Sequence, residues 1–247
     1  MILDSSQYTI AKNIHGIYAV PIESAYTFTS STILRGRVHE PCTIDYIVQN
    51  CGTGDIIHAG AGFGDFLPAL SKACVGNVFT FEPNTVNCQA CQETIHLNNL
   101  TNVALSKHGI SHESSHRHLR IKEDALALGV RSELTEPLDT LTRRYLIESA
   151  QVQEVSVDTL DNLVLPHSQR VSIIHLDIEG YEFDALFGAK KLIERDHPII
   201  ILEIDGRALD YNRQMKEIGY KPAAQLIYDA GEMVFVNTVY KRSPDES

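Results

Sequence analysis

A strand that runs into three glycines and then into a helix constrains this chain more than any other feature. The segment is His58-Ala59-Gly60-Ala61-Gly62-Phe63-Gly64-Asp65-Phe66. Asp55-Ile56-Ile57-His58-Ala59 reads as a short strand, and Phe66 to Cys74 reads as a helix with apolar positions at 66, 67, 70 and 74. Glycine permits a tight turn and lets a ligand lie against bare backbone. The start of the following helix leaves unpaired N–H groups. Strand, turn and helix in that order begin a βαβ unit, which implies a parallel sheet with right-handed crossovers.

The same alternation continues. Strands are expected at 77–81, 103–106, 155–160, 171–176 and 198–203, with helices at 43–49, 84–98, 181–194 and 208–218. Segments 224–228 and 233–240 flank Asp229-Ala230-Gly231-Glu232 and suit a terminal hairpin. Residues 112–154 show helical character at 125–130 and 138–150 but no clear core strand, and they read as an elaboration. At 247 residues the chain has room for one α/β domain. The expected division is an N-terminal extension over 1–42 that contributes to the pocket, a main domain over 43–242 and a frayed tail over 243–247.

The net charge of -11 makes nucleic acid an unfavourable partner, and Arg35-Gly36-Arg37 is too short to form a basic patch. Met1-Ile2-Leu3-Asp4 brings in a charge at once, unlike a secretory leader, and no run is long enough to span a bilayer. The five cysteines are odd in number, which suits free thiols in a cytoplasmic protein. Cys88 and Cys91 fall on one face of a predicted helix and are expected to pack rather than bind zinc. His112, His116 and His118 are expected in a solvated loop.

Two acidic strand ends carry the chemistry. A dinucleotide-binding turn would place a third glycine at position 65, where this chain has Asp65. A carboxylate there repels a pyrophosphate but tolerates the zwitterionic methionine end of S-adenosylmethionine. Glu82, in Phe81-Glu82-Pro83-Asn84, ends the second strand about 20 residues after the glycines, where a carboxylate can accept both ribose hydroxyls of a nucleoside. His175-Leu176-Asp177-Ile178-Glu179-Gly180 ends a central strand, where buried polar groups are costly unless paired or used. Asp177 and Glu179 are candidates for a general base, a metal ligand, a hydroxyl-binding group or a helix cap. Glu203 and Asp205 end the next strand and are candidates for lining the same pocket.

These segments together resemble the FkbM family of S-adenosylmethionine-dependent methyltransferases. The likeness runs from Gly36-Arg37-Val38-His39-Glu40-Pro41 through the glycine turn, Phe81-Glu82-Pro83-Asn84, Val157-Asp158-Thr159-Leu160-Asp161 and Leu176-Asp177-Ile178-Glu179-Gly180-Tyr181-Glu182 to Ile201-Leu202-Glu203. It implies a Rossmann-like class I methyltransferase fold with a mostly parallel seven-stranded sheet and a C-terminal antiparallel hairpin. It also implies O-methylation of a sugar or secondary-metabolite hydroxyl. By the same likeness Gly60, Ala61, Gly62 and Gly64 approach the methionine part of the cofactor, and Glu82, Pro83 and Asn84 surround its ribose. Glu40 reaches the cofactor from the N-terminal segment, Gly109 and Ile110 lie near the adenine, and Asp177 and Glu179 face the acceptor. His58 and Ala59 depart from the family's usual Asp-Val or Asp-Ile. His175 stands where the family often has lysine and is a candidate for either assisting base or core packing. An NAD(P)-dependent oxidoreductase and a non-catalytic cofactor-binding protein are the competing readings. A divalent metal, the acceptor and the oligomeric state stay open.

Overall fold

The computed structural model describes residues 7–123, 130–135, 151–203, 208–231 and 233–243. The chain opens with an antiparallel hairpin, β1 (Tyr8–Lys12) and β2 (Ile17–Pro21), followed by helices α1 (Phe28–Leu34) and α2 (Pro41–Asn50). The α/β core follows with β3 (Asp55–Ala59), α3 (Leu67–Ala73), β4 (Val78–Phe81), α4 (Thr85–Leu97) and β5 (Val103–Ser106). Next come β6 (Gly109–Ile110), β7 (Ser115–Glu123), β8 (Val130–Thr135), β9 (Gln151–Asp158) and α5 (Leu160–Val164). The chain then forms β10 (Val171–Leu176), α6 (Glu182–Phe187), α7 (Lys190–Asp196), β11 (Ile199–Glu203), α8 (Ala208–Glu217) and the hairpin β12 (Tyr220–Asp229) with β13 (Val234–Arg242).

The main sheet has seven strands in the order β12-β13-β11-β10-β3-β4-β5. Strands β11, β10, β3, β4 and β5 run parallel, and β13 is antiparallel to both of its neighbours. Its strands read as near-continuous apolar runs because both faces are covered. Ile57, Phe79, Ile174 and Ile200 point into one core cluster, while Ile56, Val78, Ile173 and Ile201 point into the other. The strand order reverses between β3 and β10, and open α/β sheets bind ligands at the carboxyl ends of the strands at such a point. Gly60 and Asp177, the residues after these two strands, sit side by side there. A Cβ on Gly60 would lie 1.8 Å from the Asp177 carbonyl oxygen.

The expected elements of the core are present, with three differences. First, residues 112–154 do contain strands: β7, β8 and β9 join β6 in a second sheet of order β6-β9-β7-β8. The helical readings at 125–130 and 138–150 fall mainly outside the described residues, although Val130 starts a strand. The predicted strand at 155–160 is the end of β9. Second, the single helix expected at 181–194 is two helices broken at Gly188, where a Cβ would meet the Ser111 carbonyl oxygen at 2.2 Å. Third, the N-terminal extension has its own hairpin. It is fixed to α4 by Ile17 N–H donating to Asn98 Oδ1 (2.9 Å) and Ala19 N–H donating to Thr94 Oγ1 (3.1 Å).

Candidate functional site

The glycine turn is tied to β4 before any ligand arrives. The N–H groups of Gly60 and Ala61 both donate to the Phe81 carbonyl at 3.1 Å. The N–H of Gly62 donates to Glu82 Oε2 at 2.8 Å, and that of Asn84 donates to Glu82 Oε1 at 2.9 Å. Glu82 is therefore buried and held in one orientation, and loss of water pushes its carboxyl up to about 7. Gly62 has φ +51°, and no heavy atom lies within 4 Å of where its Cβ would be, so its missing side chain leaves open space. Asn84 works as the helix cap of α4, its Oδ1 accepting from the N–H groups of Val86 and Asn87. Pro83 lines the cleft beside Glu82.

Two adjoining cavities open on this turn. The first is lined by Gly60, Gly62, Glu82, Gly109 and Ile110, together with Leu119 of β7 and Tyr181. The small sheet thus contributes to the wall of the cleft through Gly109, Ile110 and Leu119, a role the sequence does not signal. The second cavity is lined by Glu40, Asp65, Asp177, Glu179, Glu203 and Phe235, among others, and shares Gly60, Gly62, Asn87, Asp177 and Glu179 with the first. Ser24, Thr27, Thr29 and His39 from the N-terminal segment also line it.

The loop after β10 is shaped by one buried side chain. Glu179 (φ +55°) and Gly180 (φ +96°) are both left-handed, a conformation costly for a glutamate. Glu182 Oε1 accepts from the N–H groups of Ile178 (3.3 Å) and Gly180 (3.0 Å), while its Oε2 accepts from the Tyr211 hydroxyl (2.7 Å). Helix α6 starts with Tyr181 as its cap residue and has no side-chain cap, so neither Asp177 nor Glu179 caps it. Glu182→Ala leaves three donors without this partner and is expected to cost about 2–4 kcal/mol of stability. Urea titration of the variant checks this, and a loss below about 0.5 kcal/mol would show that the loop holds its shape by other means.

Asp177 keeps part of its surface in the cavities. Burial, the neighbouring Glu203 charge and a hydrogen bond with Glu203 push its carboxyl well above the usual range, and Glu40 and Glu179 add to the shift. Asp177 therefore keeps its proton to higher pH than an ordinary aspartate. Glu40 caps α2 with a left-handed backbone (φ 43°). Its Oε2 accepts from Thr43 Oγ1 at 3.0 Å and from Asn237 Nδ2 at 2.6 Å, and burial pushes its carboxyl up to about 7. Burial pushes His39 down to about 4, so at neutral pH its contact with Glu40 is a dipole against a carboxyl group, not an ion pair. Asp65 is also buried and raised to about 7.

His175 lines neither cavity. Its ring stacks on His58 at 5.0 Å and on Phe66 at 5.4 Å, and its Nδ1 lies 2.9 Å from His58 Nδ1. Burial lowers both imidazoles, His175 to about 4, so both are neutral and one donates to the other. His116 and His118 lie on β7 rather than in a loop. Among the described residues no group of three or more His, Cys, Asp or Glu side chains is placed to hold a metal ion. All five cysteines are free, and no described helix is long and apolar enough to cross a membrane. Asp205 lies outside the described residues. Asn237 and Phe235, which sequence reasoning missed, come from a strand whose pattern marks only its burial.

Comparison with known proteins bears on the family and the fold. The methyltransferase FkbM domain family matches residues 58–225. The structure is similar to the methyltransferase FkbM from Methylobacillus flagellatus KT, at 16% identity and a TM-score of 0.53 over 88% of this chain and 48% of that one. This chain therefore spans about half that protein's length. It is also similar to M. jannaschii TYW2 in complex with AdoMet (13% identity, TM-score 0.51, 96% of this chain and 87% of that one). Trm5b from Pyrococcus abyssi gives 12% identity and a TM-score of 0.51 over 96% of this chain and 56% of that one. At these identities the likeness is one of fold, the class I methyltransferase fold. No curated protein matches the chain.

Proposed function

The chain belongs to the FkbM methyltransferase family, and from that premise we propose that it binds S-adenosylmethionine across the two cavities and methylates a hydroxyl of a sugar or secondary metabolite. The observation that carries this reading is Glu82, a buried carboxyl group locked to the glycine turn on the wall of the first cavity. Its remaining lone pairs suit the two ribose hydroxyls. Gly109 and Ile110 offer the adenine an apolar ledge. The open space at Gly62 lets the methionine end pass into the second cavity. There Asp65 meets its ammonium, and Glu40 approaches from the N-terminal segment. In this reading residues 1–42 complete the pocket of a catalytic domain over 43–242. The free thiols support a cytoplasmic setting.

When bound, the cofactor supplies a methyl group already activated on sulfonium sulfur. The protein has to align the acceptor and take a proton. Asp177, at the junction of the cavities, takes the hydroxyl proton in this reading. Glu179 assists it, whereas His175, packed against His58 and Phe66, lines neither cavity. The proposal draws on no metal. An acid-lined cavity favours a small acceptor over a polyanion.

Calorimetry with S-adenosylhomocysteine and with NAD tests the binding. Heat is expected from the first alone, and binding of NAD alone would move the chain to the oxidoreductase reading. Tritium transfer from labelled S-adenosylmethionine tests turnover, and binding without transfer would leave a non-catalytic binder. The pH dependence has a definite sign. Glu82 and Asp65 ionise at about 7 in the free protein. Hydrogen bonds from ribose and the charge of an ammonium favour their ionised forms, so binding releases protons. Affinity for S-adenosylhomocysteine is expected to rise from about pH 6 to about pH 8 and then level off. A flat profile over that range would remove Glu82 and Asp65 from the binding role.

A further inference from the structure

We propose that Asn87 is a further cofactor-binding residue, whose side-chain amide donates to the carboxylate at the methionine end of S-adenosylmethionine. The inference rests on the methyl-transfer reading above, which gives a partner to the ammonium of that end but none to its carboxylate. The cavity assigned to the methionine end is lined by Glu40, Asp65, Asp177, Glu179 and Glu203, with no Lys or Arg among its described lining residues. Ionised side chains there repel a further carboxylate. A neutral N–H or O–H donor is the group that can hold it.

Asn87 is the third residue of α4 and lines both cavities. Its backbone N–H is taken up by the cap residue, donating to Asn84 Oδ1 at 3.2 Å. Its side-chain amide is partly exposed and has no hydrogen-bond partner among the described residues. None of the other residues shared by the two cavities carries an N–H donor on its side chain. Asp177 and Glu179 are acids, and the glycines have only their backbone. The Gly62 N–H is spent on Glu82 at 2.8 Å, and the Gly60 N–H on the Phe81 carbonyl at 3.1 Å. Ser24, Thr27, Thr29 and Ser30 line the second cavity alone, and the Ser24 hydroxyl already donates to the Pro21 carbonyl at 3.3 Å.

The place of this amide suits the chemistry as well. Only a short aliphatic chain separates the carboxylate from the sulfonium sulfur, so a carboxylate held at the junction keeps the sulfur close to it. Glu82 grips the ribose on one side of the sulfur, and Asn87 grips the carboxylate on the other. Asp177 lies at the same junction. A donor held at both ends presents its methyl group in one direction.

The test uses the full chain and two ligands, S-adenosylhomocysteine and its decarboxylated counterpart, which keeps the nucleoside, the sulfur and the amine. Asn87→Asp keeps the shape of the side chain and replaces the amide with a carboxylate. An acid in the first turn of a helix is favourable, so this variant is expected to melt at or above the parental temperature. Calorimetry is expected to show S-adenosylhomocysteine bound roughly tenfold to a hundredfold more weakly, with the decarboxylated ligand within about threefold of its parental affinity. Asn87→Ala removes the donor without adding charge. It is expected to weaken S-adenosylhomocysteine by about fivefold and to spare the decarboxylated ligand. Equal losses for both ligands place the amide on the nucleoside and overturn the proposal. Unchanged binding of S-adenosylhomocysteine by both variants overturns it as well. Failure of the parent protein to bind S-adenosylhomocysteine instead defeats the methyl-transfer reading beneath it.

Discussion

Asp177→Asn is expected to lower turnover by a factor of about a hundred to ten thousand while leaving affinity for S-adenosylhomocysteine within about threefold. Asparagine has nearly the same shape, so the backbone features at this position survive. Those features are the Asp177 N–H donating to the Ala59 carbonyl at 3.1 Å and the close approach to Gly60. What is lost is the carboxylate at the junction of the two cavities that takes the proton in the proposed reading. The neighbouring Glu203 can accept from the new amide, so the substitution places no unpaired donor in the cavity. Single-turnover tritium transfer alongside calorimetry separates the two effects. Activity near that of the parent protein would dismiss Asp177 as the base and pass the role to Glu179.

The second large effect is structural and comes from two glycines only two residues apart. Gly60→Ala puts a methyl group 1.8 Å from the Asp177 carbonyl oxygen, at a φ of +90° that alanine resists. The obstacle is backbone at the switch point of the sheet, so relief requires β3 and β10 to separate. The expected cost is about 4 kcal/mol or more, enough to abolish cooperative folding in a marginally stable domain. Gly62→Ala has no heavy atom to meet within 4 Å, and its φ of +51° should cost about 1–2 kcal/mol. That variant folds, but its methyl group stands in the space assigned to the ligand. Thermal melts with and without S-adenosylhomocysteine distinguish the pair. A Gly60→Ala protein with a parental melting temperature would contradict the packing at the switch point.

The core was legible because its strands are buried on both faces. Ile56-Ile57 and Ile173-Ile174 need no alternation to be recognised, and Glu82 and Asp177 stand out as acids where such runs stop. The second sheet was not legible for the converse reason. In Ser115-His116-Arg117-His118-Leu119 the buried positions include Arg117 as well as Leu119, so polarity no longer marks the outer face. The break at Gly188 was hidden because the contact that requires it comes from Ser111, 77 positions earlier. Asn237 gave no signal at all, since its partner Glu40 is 197 positions away. Local pattern reports burial, whereas the acidic cavity is built from contacts between distant parts of the chain.

The Glu40–Asn237 hydrogen bond joins segments that are made at well separated times during synthesis. Chains emerge from the ribosome N-terminus first. Every group assigned to the cofactor's ribose and adenine has been made by Ile110, and Tyr181 follows. Phe235, which lines the other chamber, and Asn237, which braces Glu40, are made after all of these, and β13 must still insert between β11 and β12. In the proposed reading a nascent chain therefore completes the residues assigned to the nucleoside well before those of the chamber assigned to the acceptor.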